Sequence, residues 1–147
     1  MLAEQMLSRA REPLITIDAA APVKAAAVLM SRPHTDLLVV CGEDGLLVGV
    51  LTKTDIVGQI GRCIGSGCTF RVDTIMTRGV VSCRPNESLE GIWSTMKSRG
   101  LERIPILDEA RRPVGIIYAR DALQCLLNGV ESDERLPRDY VMDVGYQ

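Results

Sequence analysis

The stretch GVLTKTD, residues 49–55, is repeated in outline by GIIYARD, residues 115–121. Both heptapeptides begin with glycine, continue with two aliphatic residues and end with aspartate, and the aspartates lie 121 − 55 = 66 positions apart. The same offset aligns the rest of the two halves without a gap. An ungapped repeat of this size predicts two similar modules that share a buried face, because a half of about 60 residues is marginally stable alone.

Each half contains an amphipathic helix. Apolar residues recur at the i, i+3, i+4, i+7 spacing of a buried helix face in both copies: Val23, Ala26, Ala27 and Met30, then Leu89, Ile92, Trp93 and Met96. Pro22 suits the first turn of the earlier helix, and Asn86 or Ser88 can cap the later one. A second helix closes each half, from about Lys53 and from about Ala119.

Short apolar runs predict the strands, which lie at 14–17, 36–40 and 46–51 in one half and at 80–83, 102–106 and 113–118 in the other. Polar connections at 41–45 and 108–112 have the length of hairpin turns. The predicted fold is therefore α/β (α+β), with two pseudo-symmetric β-α-β-β-α repeats packed sheet to sheet. We place repeat 1 at 8–63, a glycine-rich linker at 64–73, repeat 2 at 74–128 and a polar tail at 129–147.

Composition restricts the classes of function. The net charge of −2 argues against a nucleic-acid-binding protein, which normally carries a positive excess. There is no apolar run of about 18 residues and no apolar signal core at the N-terminus, so we expect a cytoplasmic protein without a membrane segment. Five cysteines, an odd number, indicate reduced thiols. Cys63 and Cys68 lie in the linker, but two thiols without a nearby histidine do not make a zinc site.

The heptapeptides allow two interpretations. Thr52 and Asp55 form the S/T-x-x-D pattern of a capping box, which alone would explain the first copy. The second copy keeps Gly115 and Asp121 but has Tyr118 in place of the threonine. Alternatively, a strand followed by a helix N-terminus forms a place for phosphate, where aspartate suits a ribose diol and glycine admits a close neighbour.

The order of elements and the repeated motif, hydrophobic-Gly-hydrophobic-hydrophobic-[S/T]-x-x-D, resemble a tandem pair of CBS (cystathionine β-synthase type) domains, or Bateman module. The resemblance covers about residues 8–127, and TIMTRGVVSCRPNESL at 74–89 and GLERIPILDE at 100–109 are also similar to that family. It implies two clefts between the halves that bind AMP, ADP, ATP, S-adenosylmethionine or NAD.

The resemblance also implies which residues form each cleft. One cleft would use Thr52 and Asp55 with Val81 and Leu101, and Lys53 would flank it. The other would use Asp121 for ribose and Arg103 for phosphate, with Ile15, Thr35, Tyr118 and Arg120 nearby. The clefts differ because Leu37 stands where the second has Arg103, and either one could be the better site.

The leading hypothesis is a non-catalytic regulatory module that senses an adenosine ligand and signals to a partner protein. No metal ion or obligatory cofactor is expected. His34, the only histidine, has no accompanying nucleophile and is interpreted as the end of a helix. CBS pairs commonly dimerise, so we expect a homodimer, with Trp93 and Met96 as candidate contacts. The alternative is a structural interaction module whose clefts are degenerate.

Overall fold

The computed structural model describes residues 1–62 and 70–134, except for the side chains of residues 60–62 and 129–134. A 3-10 turn at Ala3–Met6 leads into α1 (Leu7–Ala10). The first half then contains β1 (Thr16–Asp18), α2 (Val23–Met30), β2 (Leu37–Cys41), β3 (Leu47–Thr52) and α3 (Lys53–Arg62). The second half contains a 3-10 turn at Val72–Thr74, α4 (Leu89–Arg99), β4 (Arg103–Leu107), β5 (Pro113–Tyr118) and α5 (Ala119–Glu134).

The two sheets have the same register. In the first half β1 pairs parallel with β2, and β2 pairs antiparallel with β3 so that Leu37 lies opposite Thr52. In the second half β4 pairs antiparallel with β5, and Arg103 lies opposite Tyr118 at the equivalent positions. The register also shifts at equivalent points, after Val40 and after Ile106. The predicted repeat therefore extends to the hydrogen-bond pattern.

The prediction of a strand at 80–83 is wrong. Of these residues only Cys83 pairs with the sheet, through an isolated parallel bridge to Ile106. In the first half the amide of Val39 donates to Ile15 and the amide of Ala19 donates to Cys41, at 2.9 and 2.8 Å. The equivalent donors would be residues 105 and 85, and both are proline. Proline has no N–H, so the ladder is lost on both sides of Cys83.

Strand periodicity divides the core into three clusters. Leu38 and Val40 of β2 face the helices of the first half, while Leu37 and Val39 face the second half. There they meet Ile116 of β5, so the two sheets pack face to face. The predicted sheet-to-sheet packing of two pseudo-symmetric repeats is confirmed.

The segment at the start of each half packs on the opposite half. Ala3, Met6 and Ala10 belong to the core of the second half, and Val72 belongs to the core of the first. Thr77 exchanges backbone hydrogen bonds with Val50 of β3, at 2.8 and 3.0 Å. We call residues 1–11 and 70–77 the exchanged segments. They tie the halves together.

The motif glycines allow this exchange. A Cβ atom on Gly49 would lie 2.7 Å from both the sulfur of Met76 and the carbonyl oxygen of Thr77. A Cβ atom on Gly115 would lie 2.9 Å from the Cβ atom of Ala10. Because Ala10 and Met76 are themselves 66 positions apart, the two contacts are equivalent. The interpretation that glycine admits a close neighbour is confirmed, and that neighbour is an exchanged segment.

Both amphipathic helices form as the sequence predicts, and the differences concern the position of Pro22 and the burial of Met96. Ser88 caps α4 by accepting a hydrogen bond from the amide of Gly91 at 3.0 Å, whereas Pro22 lies at the N-cap of α2, one position before the helix. Met96 is only 1% exposed, so it is a core residue and not a dimer contact. Trp93 is half-buried against the same core.

Two further predictions concern the polar tail and the linker cysteines. Helix α5 continues to Glu134, past the expected start of the polar tail at residue 129, and the domain boundaries stay predictions. The rest of the proposed tail, and Cys63 and Cys68, lie outside the described residues. Over 1–62 and 70–134, no helix combines the length and the apolar character needed to span a membrane.

Candidate functional site

Two cavities lie between the halves. Cavity A has a volume of about 610 Å³ and is bounded by residues 9, 12, 13, 15 and 33–36 of the first half and by residues 102–103, 118 and 120–121 of the second. Cavity B has a volume of about 430 Å³ and is bounded by residues 37, 50 and 52 together with residues 77, 79–81, 100–103 and 105. Both volumes lie in the range usual for small-molecule sites.

The cavities are equivalent under the 66-residue offset. Seven pairs of lining residues correspond, the member in cavity A being given first: Pro13 and Gly79, Ile15 and Val81, His34 and Gly100, Thr35 and Leu101, Asp36 and Glu102, Arg103 and Leu37, Tyr118 and Thr52. The pseudo-twofold relation of the halves therefore produces the two cavities, one on each side.

Cavity A contains every residue that the sequence assigned to the second cleft: Ile15, Thr35, Arg103, Tyr118, Arg120 and Asp121. They come from distant parts of the chain. The loops before β1 and β2 supply Ile15 and Thr35, β4 and β5 supply Arg103 and Tyr118, and the first turn of α5 supplies the other two. The structure brings this whole set together, while its role in binding remains a prediction.

Asp36 is a residue of cavity A that sequence reasoning missed. Its carboxylate lies 2.7 Å from the guanidinium of Arg103 and accepts a hydrogen bond of 3.3 Å from the hydroxyl of Tyr118. The side chain of Arg103 is 22% exposed, so this ion pair is only partly screened by water. One signal was available, because the equivalent residue Glu102 is also acidic.

Tyr118 forms one side of cavity A. Burial, followed by the negative charge of Asp36, raises the pKa of its hydroxyl, so the phenol stays protonated and donates to that carboxylate. The guanidinium carbon of Arg120 lies 5.9 Å from the centre of the Tyr118 ring, within the range of a cation–π contact. Tyr118 therefore lines the cavity without closing it.

Asp121 and Asp55 are equivalent in sequence but differ in their contacts. Asp55 accepts a hydrogen bond of 2.9 Å from the amide of Thr52, and the hydroxyl of Thr52 accepts one of 3.3 Å from the amide of Asp55. This is the reciprocal capping box at the start of α3. The carboxylate of Asp121 has, within the part of the chain that the structure describes, only a 4.0 Å ion pair with Arg120.

Cavity B contains part of the set assigned to the first cleft. Thr52, Val81 and Leu101 line it, but Lys53 and Asp55 do not. The carboxylate of Asp55 instead turns back to the amide of Thr52 at the start of α3, and the assignment of Lys53 and Asp55 to this cleft stays a prediction. Arg103, assigned only to the second cleft, lines both cavities.

His34 lies in the turn after α2 and lines cavity A. Its φ of 65° matches the φ of 66° at Gly100, the equivalent residue in cavity B. The left-handed backbone is therefore a property of the fold at this position, and glycine adopts it without the steric cost that a histidine meets.

Comparison with known proteins supports the same arrangement. The CBS domain family model matches residues 5–62 and 72–128. A homoserine O-acetyltransferase of Methanococcoides burtonii is 31% identical over 110 residues, which are 75% of this chain and 22% of that protein. The chain thus spans about a fifth of the length of this curated relative.

Solved structures give the same fold. The CBS domain pair of protein MJ0100, solved with 5′-methylthioadenosine and S-adenosyl-L-methionine, matches with a TM-score of 0.68 and 25% identity, covering 88% of this chain and 97% of that one. CBSX2 in complex with AMP matches with a TM-score of 0.70 and 19% identity, covering 86% and 96%. With two matches to the family model and one fold shared with these structures, the chain belongs to the CBS domain family and contains a tandem pair of CBS domains.

Proposed function

We propose that the chain is a regulatory module that binds an adenosine ligand between its two CBS domains and thereby changes its contacts with a partner protein. The observation that carries the proposal is the pair of equivalent cavities, each bounded by residues of both halves. A ligand that touches both halves favours one relative arrangement of them, and differential affinity of this kind is what regulation requires.

Cavity A has the functional groups that an adenosine needs. The Asp121 carboxylate suits a ribose diol, the Tyr118 ring offers a face for a base, and the Thr35 hydroxyl can donate or accept. The ligands of MJ0100 and CBSX2, which are S-adenosylmethionine, methylthioadenosine and AMP, support adenosine as the shared part. ADP, ATP and NAD contain the same nucleoside and are tested with them.

The proposal is for a binding module rather than an enzyme. Among the described residues, neither cavity is lined by a serine or cysteine that could serve as a nucleophile beside His34.

We also propose a homodimer. Since Met96 is buried, we assign the contacts of the dimer to exposed apolar residues on α3 and α5, namely Val57, Leu123 and Leu127. Light scattering of Val57→Lys and Leu127→Lys should then show more monomer than light scattering of the parent protein.

The first experiment is thermal unfolding with AMP, ADP, ATP, S-adenosylmethionine, methylthioadenosine and NAD, with GTP as the control. A ligand at about 100 times its Kd adds about 2.7 kcal/mol to the free energy of unfolding. For a chain of this size the midpoint should rise by about 5 to 10 °C. A rise with an adenosine compound and none with GTP supports the proposal, and no rise with any of them at millimolar concentration contradicts it.

The Thr52–Asp55 capping box favours a second candidate, a structural interaction module. In that case the motif serves only to begin α3, and cavity B is a gap without a ligand. The same titration separates the candidates, because a structural module shows no midpoint shift with any nucleotide.

A further inference from the structure

We propose that cavity A selects adenosine ligands without net negative charge, such as a thioether or sulfonium nucleoside, and that Asp36 is the residue that sets this preference. The inference rests on the proposed function and specifies the chemical class of its ligand. It follows from the charges and contacts of the side chains that line the cavity.

The lining of cavity A is acidic. Three arginines, Arg9, Arg103 and Arg120, face four carboxylates, Glu12, Asp36, Glu102 and Asp121, which gives −1 with His34 neutral. Cavity B contains one charge of each sign, Arg103 and Glu102, and most of its other lining residues are apolar. The two cavities therefore present different electrostatic environments to the same nucleoside.

Each arginine of cavity A is already engaged. Arg103 is paired with Asp36 at 2.7 Å, Arg120 lies 4.0 Å from Asp121, and Arg9 donates to the sulfur of Cys125 at 3.8 Å. Glu12 and Glu102, by contrast, have no side-chain hydrogen bond or ion pair within the described residues. Since a neutral thiol does not cancel the charge of Arg9, the charges at this cavity without an ion-pair partner in the described part of the chain are Arg9, Glu12 and Glu102, and their sum is −1.

An anionic ligand at Arg103 would meet the carboxylate of Asp36. Among the arginines that form ion pairs within the described residues, Arg103 is the most buried. Its guanidinium contacts one carboxylate oxygen of Asp36, and the other oxygen accepts a hydrogen bond from Tyr118. A phosphate at Arg103 would share the guanidinium with Asp36 and would lie close to the negative charge of that carboxylate. A neutral methylthio group meets no such repulsion, and a sulfonium or ammonium group is attracted to the unpaired carboxylates.

The test compares 5′-methylthioadenosine with AMP, two ligands that share adenosine and differ at the 5′ position. Isothermal titration calorimetry is performed on the parent protein, on Asp36→Asn and on Glu109→Gln. Asp36 lines cavity A only, so changes caused by its variant report on that cavity. Glu109 is exposed and lines neither cavity, so its variant removes the same charge elsewhere.

We expect Asp36→Asn to raise the affinity for AMP by about tenfold, because one close negative charge is removed and Arg103 is released. The affinity for methylthioadenosine should change by less than about threefold, and Glu109→Gln should change neither affinity appreciably. Glu12→Gln removes an exposed carboxylate without a partner among the described residues, so it should change the ratio of the AMP affinity to the methylthioadenosine affinity in the same direction. It replaces Asp36→Asn if that variant does not fold.

An affinity ratio of AMP to methylthioadenosine that stays the same in both acidic-residue variants would overturn the inference while leaving the proposed function intact. Failure of the parent protein and of every variant to bind either ligand would also overturn the inference, and the proposed function would be overturned only if the other adenosine compounds also leave the unfolding midpoint unchanged.

Discussion

Thr52 and Tyr118 occupy equivalent positions, but the aspartates three residues further on have different roles. Asp55 completes the capping box with Thr52, which satisfies an amide at the start of α3. A tyrosine cannot complete the same box, and Asp121 instead lines cavity A beside Arg120. This difference in residue type therefore accompanies the difference between an aspartate that caps a helix and one that lines a cavity.

Asp55→Ala should lower the free energy of unfolding by about 1 kcal/mol, because an N-terminal cap is lost. Asp121→Ala should have a smaller effect on stability and should weaken the binding of the adenosine ligand that raises the melting point. Urea unfolding and calorimetric titration of both variants measure the two quantities. Equal losses of stability, with no change in binding, would place Asp121 in a structural role as well.

Cys83 should make stability depend on alkaline pH. Burial, and then the charge of Glu87, raises the pKa of this thiol from 9.0 to about 12. Since the folded protein favours the protonated thiol, this contribution is complete below pH 9 and is lost as the pH rises toward 12. The unfolding free energy should decrease by up to about 1.4 kcal/mol per pH unit in that window.

Urea unfolding of the parent protein and of Cys83→Ala between pH 8 and 11 tests this expectation. The unfolding free energy of the variant should decrease less steeply with pH. Cys41 and Tyr118, whose pKa values burial also raises, contribute to the decrease that is left. Identical slopes for both proteins would contradict the assignment to Cys83.

At the scale of elements, β3 and β5 each meet an exchanged segment at a glycine. The sequence was sufficient to predict these strands, their hairpins and the close approach at the glycine, because apolar periodicity and turn residues are local signals. It did not identify which segment approaches, since that depends on contacts between residues that are distant in the chain. The missing strand at 80–83 could have been foreseen from Pro85 and Pro105, which remove two ladder donors.

Gly49→Ala and Gly115→Ala should each lower the free energy of unfolding by about 1 to 3 kcal/mol, the range for overpacked sites. The new methyl group would meet the Thr77 carbonyl oxygen at 2.7 Å in one case and Ala10 at 2.9 Å in the other. Gly42→Ala is the matched control, since its closest contact would be 3.3 Å to the side chain of Asp44. Urea midpoints for all three variants that agree within error would show that the exchanged segments move aside freely.

For the whole molecule, the exchange predicts that the two domains unfold together. Each core contains residues of the other half's leading segment, so neither core stays intact when the other is lost. The pairing of Asp36 with Arg103 has the same origin. It joins a loop of the first half to a strand of the second, and no local pattern in the sequence reveals such a contact.

Leu51→Ala tests this coupling, because Leu51 is fully buried in the first half and its truncation should cost about 2 to 5 kcal/mol. Trp93, the only tryptophan, lies in the second half and reports unfolding by fluorescence. The fluorescence midpoint should fall together with the midpoint from circular dichroism. A Trp93 transition that remains at its original denaturant concentration would show that the domains unfold independently.

The exchanged segments also suggest how such a molecule could evolve by gene duplication. Two separate copies of one repeat could cover each other's motif glycine by the same reciprocal contact, as a symmetric dimer. In that dimer both cavities would be identical, and any substitution would change both at once. Fusion into one chain removes this constraint: Leu37 and Arg103, or Thr52 and Tyr118, can diverge, so that one ancestral cavity becomes two with different linings.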